Sequence, residues 1–296
     1  MALKTIGIIG NPKKDEAPPL AGRLIAILSE QNLDVRLAPE IAERVPATEH
    51  ARPVAAIADL AGTDMILVLG GDGTLLHAIR ELDGAGVPLF GINVGSLGFL
   101  TEIAAVDVES AISDVLAGRY TVIDRPILNG EIKDRRGNSE RRLLALNDIV
   151  VDEGSPTRRA VRLRMTLGGQ EVGTFTGDGV VVATPAGSTA YNLSAGGPVI
   201  GPQVPALVAT PICPHTMSVR PIVYPDTETL LVEDVRPGLQ IKVTADGQVY
   251  HPVPEGGLVS IALDPERRAR FVTLQRRGYY DILRTRLRWG SGGKEN

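Results

Sequence analysis

The sequence predicts an N-terminal α/β domain built on a parallel sheet, followed by a mostly antiparallel β domain. Over the first 120 residues, short continuously apolar runs alternate with longer segments that repeat apolar residues at helical spacing. From about residue 121, short alternating runs separated by Gly, Asp and Pro replace that pattern. The 296 residues, 43% of them hydrophobic, suffice for two domains of about 150 residues each. We therefore predict domains at 1–120 and 121–269, with 270–296 packing back on the first.

The N-terminal domain shows a repeated β-α pattern. Its apolar runs lack polar alternation, which is typical of strands in a parallel sheet covered by helices on both faces. Its longer segments, such as LAGRLIAILSEQ, place apolar residues on one helical face. We predict strands at 3–9, 33–38, 65–69 and 87–94, and helices at 20–31, 51–61, 74–82 and 107–117.

The second domain consists of β-prone runs with turn residues between them. We predict strands within 141–151, 160–169, 171–184, 229–235, 239–250 and 258–275. The segment at 278–290 differs, because Tyr280, Leu283 and Leu287 recur at helical spacing with arginines between them. It predicts a final helix that packs on the first domain.

Composition and charge exclude several classes of function. The formal net charge of −4 provides no positive field for nucleic acid, so an anionic ligand needs a local basic pocket. The four histidines and single cysteine lie far apart in sequence, which argues against a structural zinc site or a disulfide framework. Neither a secretory signal nor an apolar run of about 20 residues is present. We expect a soluble, cytoplasmic protein that does not bind membranes.

A glycine-rich loop, Gly70-Gly71-Asp72-Gly73-Thr74, follows the predicted strand at 65–69. Open α/β sheets bind ligands at this end of a strand, glycines allow close approach of the backbone, and a following helix N-terminus attracts anions. The alternative is that Asp72 or Thr74 only caps the helix. The chain lacks the motifs of P-loop ATPases, protein kinases and Rossmann dehydrogenases.

The GGDGT string resembles an element shared by NAD kinases, diacylglycerol-type lipid kinases and, more distantly, phosphofructokinases. Further stretches are similar to NAD kinase motifs alone: INVGSLGFLT at 92–101, LNDIVV at 146–151, DGVVVATPAGSTAYNLSAGGP at 178–198, PHTMSVRPIV at 214–223 and TADGQ at 244–248. The resemblance covers nearly the whole chain in the same order. A lipid kinase would leave NDIVV and TPAGSTAY unexplained, and the retained Asp72 argues against a non-catalytic NAD or NADP sensor.

The resemblance implies a β-sandwich-like second domain and a specific reaction. ATP would phosphorylate the 2′-hydroxyl of the adenosine ribose of NAD, giving NADP, with a divalent metal ion, normally magnesium. Relatives act as homodimers or homotetramers, so the same is expected here.

Roles in the glycine loop follow from phosphoryl transfer, which requires in-line placement, charge neutralisation and a group that accepts the hydroxyl proton. The resemblance makes Asp72 the proposed base. Gly73 would give the ribose and phosphate access to the backbone. Gly70, Gly71 and Thr74 would contact the donor phosphates.

The resemblance also assigns NAD-binding residues to the second domain. Asn147 offers amide donors and an acceptor to a base edge, and Asp148 accepts from sugar hydroxyls; the alternative for this pair is an Asx turn. Many relatives carry Glu where this chain has Asp148. Tyr191 can lie against an aromatic ring of the ligand. The remaining candidates are Arg158, Asp178, Thr189, Ala190, Asn192, Leu193, Ser194 and Gln248.

Overall fold

The structure is a computed structural model that describes residues 3–45, 49–95, 98–154, 160–236 and 240–288. Its contacts divide the chain into a first unit, Met1–Asp124 with Ala269–Asn296, and a second unit, Arg125–Arg268. No helix in these described ranges is long and apolar enough to cross a membrane.

The helices and strands follow one another in this order: β1 (Thr5–Gly10), α1 (Ala17–Glu30), β2 (Asp34–Leu37), α2 (Pro39–Ala42), β3 (Ala51–Pro53), β4 (Met65–Gly70), α3 (Asp72–Glu81), β5 (Pro88–Asn93), β6 (Ile103–Ala104), α4 (Val108–Leu116), β7 (Thr121–Lys133), β8 (Ser139–Ala145), β9 (Asp148–Glu153), β10 (Val161–Leu167), β11 (Gln170–Gly177), β12 (Gly179–Ala183), α5 (Tyr191–Ser194), β13 (Ala206–Ile212), β14 (Ile222–Pro225), β15 (Leu230–Asp234), β16 (Ile241–Ala245), β17 (Val249–Pro252), β18 (Leu258–Thr273) and α6 (Tyr279–Leu287).

The first unit is built on a parallel sheet in the order β3-β2-β1-β4-β5. Every residue of the central strand β4 is buried, as its uninterrupted apolar sequence predicts. Leu69 pairs with Gly10 of β1, and Gly70 pairs with Asn93 of β5. The loops that follow β1, β4 and β5 therefore leave the same edge of the sheet, and the glycine loop is the middle one.

One sequence prediction in this unit is wrong. The predicted helix at 51–61 is instead β3, which pairs in parallel with β2, followed by a 3₁₀ helix at Ile57–Gly62. Pro53 disfavours helical backbone at Arg52, and sheet pairing supplies the alternative. The predicted final helix forms as α6, in which Leu283 is buried and Tyr280 is 77% exposed. The Tyr280 ring instead stands edge-to-face on Tyr279.

The second unit is a β-sandwich. One sheet has the antiparallel order β14-β13-β12-β9-β16-β17, and β10, β11 and β15 pair antiparallel in the other sheet, with β15 next to β18. A shared apolar core lies between them, with contributions that include Val151, Val180 and Val243 from the first sheet and Leu163 and Val232 from the second. The predicted fold class, a parallel α/β unit and an antiparallel β-sandwich, is confirmed.

Strand β12 is buried on both faces. Its Val180 and Val182 point into the sandwich core, whereas Val181 and Ala183 belong to a second apolar cluster with Ile200. The TPAGSTAYNLS motif follows β12. This motif therefore begins at the end of a buried strand, which fixes its position.

Candidate active site

The glycine loop connects β4 directly to α3. Gly71 is the N-cap residue and Asp72 is the first residue of the helix, with no side-chain cap hydrogen bond. Thr74 is buried, and its Oγ1 lies 3.5 Å from Nδ2 of Asn11. A Cβ at Gly70 would overlap the Thr74 side chain, so glycine is needed there. Neither Asp72 nor Thr74 acts as the helix cap.

The Asp72 carboxylate binds the turn that follows β5. It accepts hydrogen bonds from the backbone N–H groups of Phe99 at 2.7 Å and Leu100 at 3.0 Å. Within the same turn, the Gly98 N–H donates to Thr101 Oγ1 at 3.0 Å. Because Gly98 has no Cβ, the Asp72 carboxylate has room beside it. Because an ionised carboxylate has about four acceptor positions, Asp72 keeps capacity to accept from a substrate hydroxyl.

Two asparagines at this edge were missed by the sequence reasoning. Asn93 is 2% exposed, and its Nδ2 donates to the Gly95 carbonyl at 3.1 Å. Its Oδ1 has no hydrogen-bond partner among the described residues. Asn11 follows β1 and contacts Thr74. An asparagine at the C-terminal end of a buried strand is the sequence signal that both share.

In the second unit, Asp148 is the first residue of β9, which lies between β12 and β16, and Asn147 directly precedes it. Asp148 is only 4% exposed. Burial and, next, the nearby Asp246 carboxylate raise the pKa of Asp148 to about 7, opposed by a hydrogen bond from the Tyr191 backbone N–H. Protonated and ionised forms of Asp148 therefore both occur near neutral pH.

The TPAG turn and the Leu146–Asp148 segment interlock. Thr184 donates its backbone N–H to the Asn147 carbonyl at 2.9 Å and its hydroxyl to the Leu146 carbonyl at 2.6 Å. A Cβ at Gly187 would overlap the Asn147 carbonyl. Asn147 Oδ1 has no hydrogen-bond partner among the described residues, so an Asx turn does not account for this side chain.

These residues open onto a cavity of about 320 Å³, a size found for small-molecule sites. Its lining residues are Asn147, Asp148, Val150, Asp152, Ala190, Tyr191, Thr244, Asp246 and Gly247. The cavity thus brings together four residues that the sequence singled out, from two motifs more than 40 positions apart.

The cavity is acidic. Burial and the carboxylates of Asp152, Asp178 and Asp148 all raise the pKa of the Tyr191 phenol. Burial is also the main reason that the pKa of Asp152 is raised, although Lys242 lies 3.8 Å from it. Such a lining suits a ligand that presents hydroxyl and amino donors.

Asn192 has a different environment from its neighbour Tyr191. It is fully buried, and its Nδ2 donates to the carbonyls of Ser188 and Pro198 at 3.0 Å each. Its Oδ1 accepts from the Thr210 hydroxyl at 2.6 Å. Both amide donors and the amide oxygen are therefore hydrogen-bonded within the protein, which fixes the turn that presents Ala190 and Tyr191.

The other candidate residues lie around this turn or outside it. Thr189 donates to the Ala186 carbonyl at 3.3 Å, Leu193 is half-buried and Ser194 is exposed. Asp178 is exposed and accepts from the Cys213 thiol, which raises the pKa of that thiol. Gln248 is exposed in the β16–β17 turn. Arg158 lies outside the described residues.

Two family models match this chain. The ATP-NAD kinase N-terminal domain matches residues 6–120, and the ATP-NAD kinase C-terminal domain matches residues 146–274. The NAD kinase of Syntrophotalea carbinolica is 37% identical over 288 residues, covering 97% of this chain and 99% of that protein.

Solved structures show the same likeness over almost the full length. Yeast NADH kinase complexed with NADH gives a TM-score of 0.89 at 25% identity, covering 100% of this chain and 90% of that chain. An NAD kinase from Archaeoglobus fulgidus in complex with ATP gives 0.74 at 26% identity, covering 96% and 98%. From these matches and the motifs that line its cavity, the chain belongs to the NAD kinase family.

Proposed function

We propose that this chain transfers the γ-phosphoryl group of ATP to the 2′-hydroxyl of the adenosine ribose of NAD, giving NADP. The observation that carries the proposal is the cavity in which Asn147, Asp148 and Tyr191 converge. An amide, a carboxylate and an aromatic ring are the groups that recognise a base edge, sugar hydroxyls and a base face. The solved relatives that hold NADH and ATP agree with this pair of substrates.

Asp72 is the proposed base. Its position on a rigid loop, held by two backbone N–H groups, gives the carboxylate a fixed direction. Phosphoryl transfer depends mainly on such positioning, with a carboxylate to orient the attacking hydroxyl and accept its proton. Gly73 would give the ribose and phosphate access to the backbone, and Gly70, Gly71 and Thr74 at the N-terminus of α3 would contact the donor phosphates.

We propose that magnesium enters with ATP. Among the described residues, no group of three or more His, Cys, Asp or Glu side chains is placed to hold a metal ion. Magnesium bound to nucleotides commonly needs only one or two carboxylates, with phosphate oxygens and waters completing its shell. A metal carried on the triphosphate fits the residues present, and its chemistry would be to neutralise the phosphate charge.

A lipid acceptor fits the cavity poorly. Diacylglycerol would place hydrocarbon against the carboxylates of Asp148, Asp152 and Asp246, and covering charged groups with hydrocarbon is costly. We also propose a cytoplasmic location, where ATP and NAD are both available.

Enzyme-cycling detection of NADP tests the reaction directly. We expect NADP from NAD, ATP and magnesium, and none from a heat-inactivated sample. A panel of phosphoryl donors, with NADH and diacylglycerol as alternative acceptors, defines the specificity. Absence of NADP above the heat-inactivated control would reject the function, and NAD binding without ATP consumption would instead indicate a sensor.

We further propose a homodimer or homotetramer. The sandwich sheet that contains β9 ends in two edge strands, β14 and β17, and the exposed Val223 and Tyr250 lie on them. Exposed edges with apolar side chains favour association, usually as a closed symmetric assembly. Light scattering is expected to give about two or four times the chain mass of 31.4 kDa. A value equal to one chain at micromolar concentration would contradict this.

A further inference from the structure

Asp246 occupies the tip of the β16–β17 hairpin. Asp246 and Gly247 have φ values of +49° and +64°, and the Gln248 N–H donates to the Ala245 carbonyl at 2.9 Å. An Asp-Gly pair with two positive φ angles is the preferred chemistry for the centre of a tight hairpin turn. The backbone of Asp246 therefore has the role of a turn residue.

The structure gives the Asp246 side chain a second task. Its carboxylate accepts from the backbone N–H groups of Leu146 at 2.9 Å, Asn147 at 2.8 Å and Asp148 at 3.1 Å. Its own backbone N–H donates to the Asp148 carbonyl at 2.9 Å. One residue thus binds three consecutive amides at the point where the chain enters β9.

These bonds determine where the Asn147 and Asp148 side chains point. Thr184 holds the carbonyls of the same segment, and Asp246 holds its amides. Hydrogen bonds to a charged group are about twice as strong as neutral ones, so the Asp246 side is the stronger constraint. Asp246 also lines the cavity itself, where it adds negative charge beside Asp148.

We propose that Asp246 is a positioning residue for the dinucleotide, which fixes Asn147 and Asp148 and tunes the charge that Asp148 presents to the ribose. This inference rests on the proposed function. It assigns to the hairpin turn a role in NAD affinity, with no contact to the phosphoryl donor.

Charge and position are separable by substitution. Asp246→Asn keeps the size of the side chain but removes the charge and one of the two acceptor oxygens. Asp246→Glu keeps the charge but displaces the carboxylate by one methylene. The other charged or titratable groups around Asp148 are Asp152, with its partner Lys242, and Tyr191, and both variants leave them unchanged.

A matched control is available in the β7–β8 turn. Asp134 likewise accepts backbone N–H groups, from Arg136 and Asn138 at 2.8 Å each. Its turn does not line the cavity. Asp134→Asn therefore reproduces the loss of a turn carboxylate without affecting Asn147 or Asp148.

The experiment measures the Kd of NAD by calorimetry, and KM and kcat for NAD and ATP, at about pH 8, where Asp148 is mostly ionised. We expect Asp246→Asn and Asp246→Glu to weaken NAD binding by about 10- to 100-fold, in keeping with lost charged hydrogen bonds. The KM for ATP and kcat should change little. Asp134→Asn should match the wild type.

The pH profile distinguishes positioning from general loosening of the fold. Without the Asp246 charge, the pKa of Asp148 falls. The acidic limb, the decrease of kcat/KM for NAD at low pH, should therefore move to lower pH in Asp246→Asn. It should stay in place in Asp246→Glu, which keeps the charge. Unchanged NAD affinity together with an unchanged limb in Asp246→Asn would overturn the proposal.

The remaining outcomes are also decisive. Should Asp246→Asn fail to fold, an unchanged Kd for NAD in Asp246→Glu overturns the proposal by itself. A wild type that binds NAD without forming NADP rejects the catalytic function, while the comparison of Kd values still tests Asp246. A wild type that does not bind NAD rejects both.

Discussion

Asp72→Asn is expected to lower kcat by about 10²- to 10⁴-fold, the usual contribution of a positioned base. Asparagine keeps the size of the side chain, and its oxygen can still accept from one of the Phe99 and Leu100 N–H groups. It cannot accept the ribose proton, because it has neither the charge nor the basicity. Affinities for NAD and ATP, measured by calorimetry, should remain close to those of the wild type.

The hydrogen bonds of Asp72 require a control for loop stability. Asparagine supplies one acceptor oxygen where two backbone amides donate, so the turn at 98–101 loses one hydrogen bond. If the unpaired amide stays buried, this loss lowers the free energy of unfolding by about 1 to 3 kcal/mol. Thr101→Val removes another bond of the same turn, the one from the Gly98 N–H, and leaves Asp72 intact. If loop loosening explains the loss of rate, Thr101→Val will reproduce it. Near-normal turnover of Asp72→Asn would reject the role of base.

The spacing of apolar residues predicts most of the fold, because most of the helices and strands form by burying an apolar face or an apolar run. The run MILVLG has no polar residue, and it forms the fully buried β4. The helix predicted at 51–61 does not form, because the spacing of apolar residues is not the deciding factor there. Its residues satisfy a helical pattern, but Ala51 pairs with Val35 of β2 and Pro53 restricts the backbone, so a contact distant in sequence overrides local propensity.

The site was only partly predictable from residue types. The motif match singles out both Tyr191 and Asn192, yet one lines the cavity and the other is hydrogen-bonded inside the protein. Side-chain direction depends on the turn, which the sequence does not specify. Asp246 was missed as a site residue for a related reason. Its partners at 146–148 are about 100 positions away, and the TADGQ motif singled out only Gln248 as a candidate contact.

Asp148 should make NAD affinity depend on pH. Its pKa of about 7 means that the buried side chain is largely protonated in mildly acidic solution and ionised above neutrality. Ribose hydroxyls donate best to the ionised carboxylate, so KM for NAD should increase by up to about tenfold per pH unit below about pH 7. Measurements from about pH 5.5 to about pH 8.5, with the KM for ATP as internal reference, test this.

Stability should change in the opposite direction over the same pH range. Because the folded pKa of Asp148 lies above its unfolded value, its contribution to folding is fully present below the unfolded pKa and is lost as pH rises through about 7. Asp148→Asn removes the ionisable group, so its Tm relative to wild type should be higher at about pH 8 than at about pH 5.5. The same variant should bind NAD about 10- to 100-fold more weakly at high pH, without the acidic limb. A wild-type KM for NAD that stays constant across this range, or an Asp148→Asn variant with wild-type affinity, would show that this carboxylate does not bind the ribose.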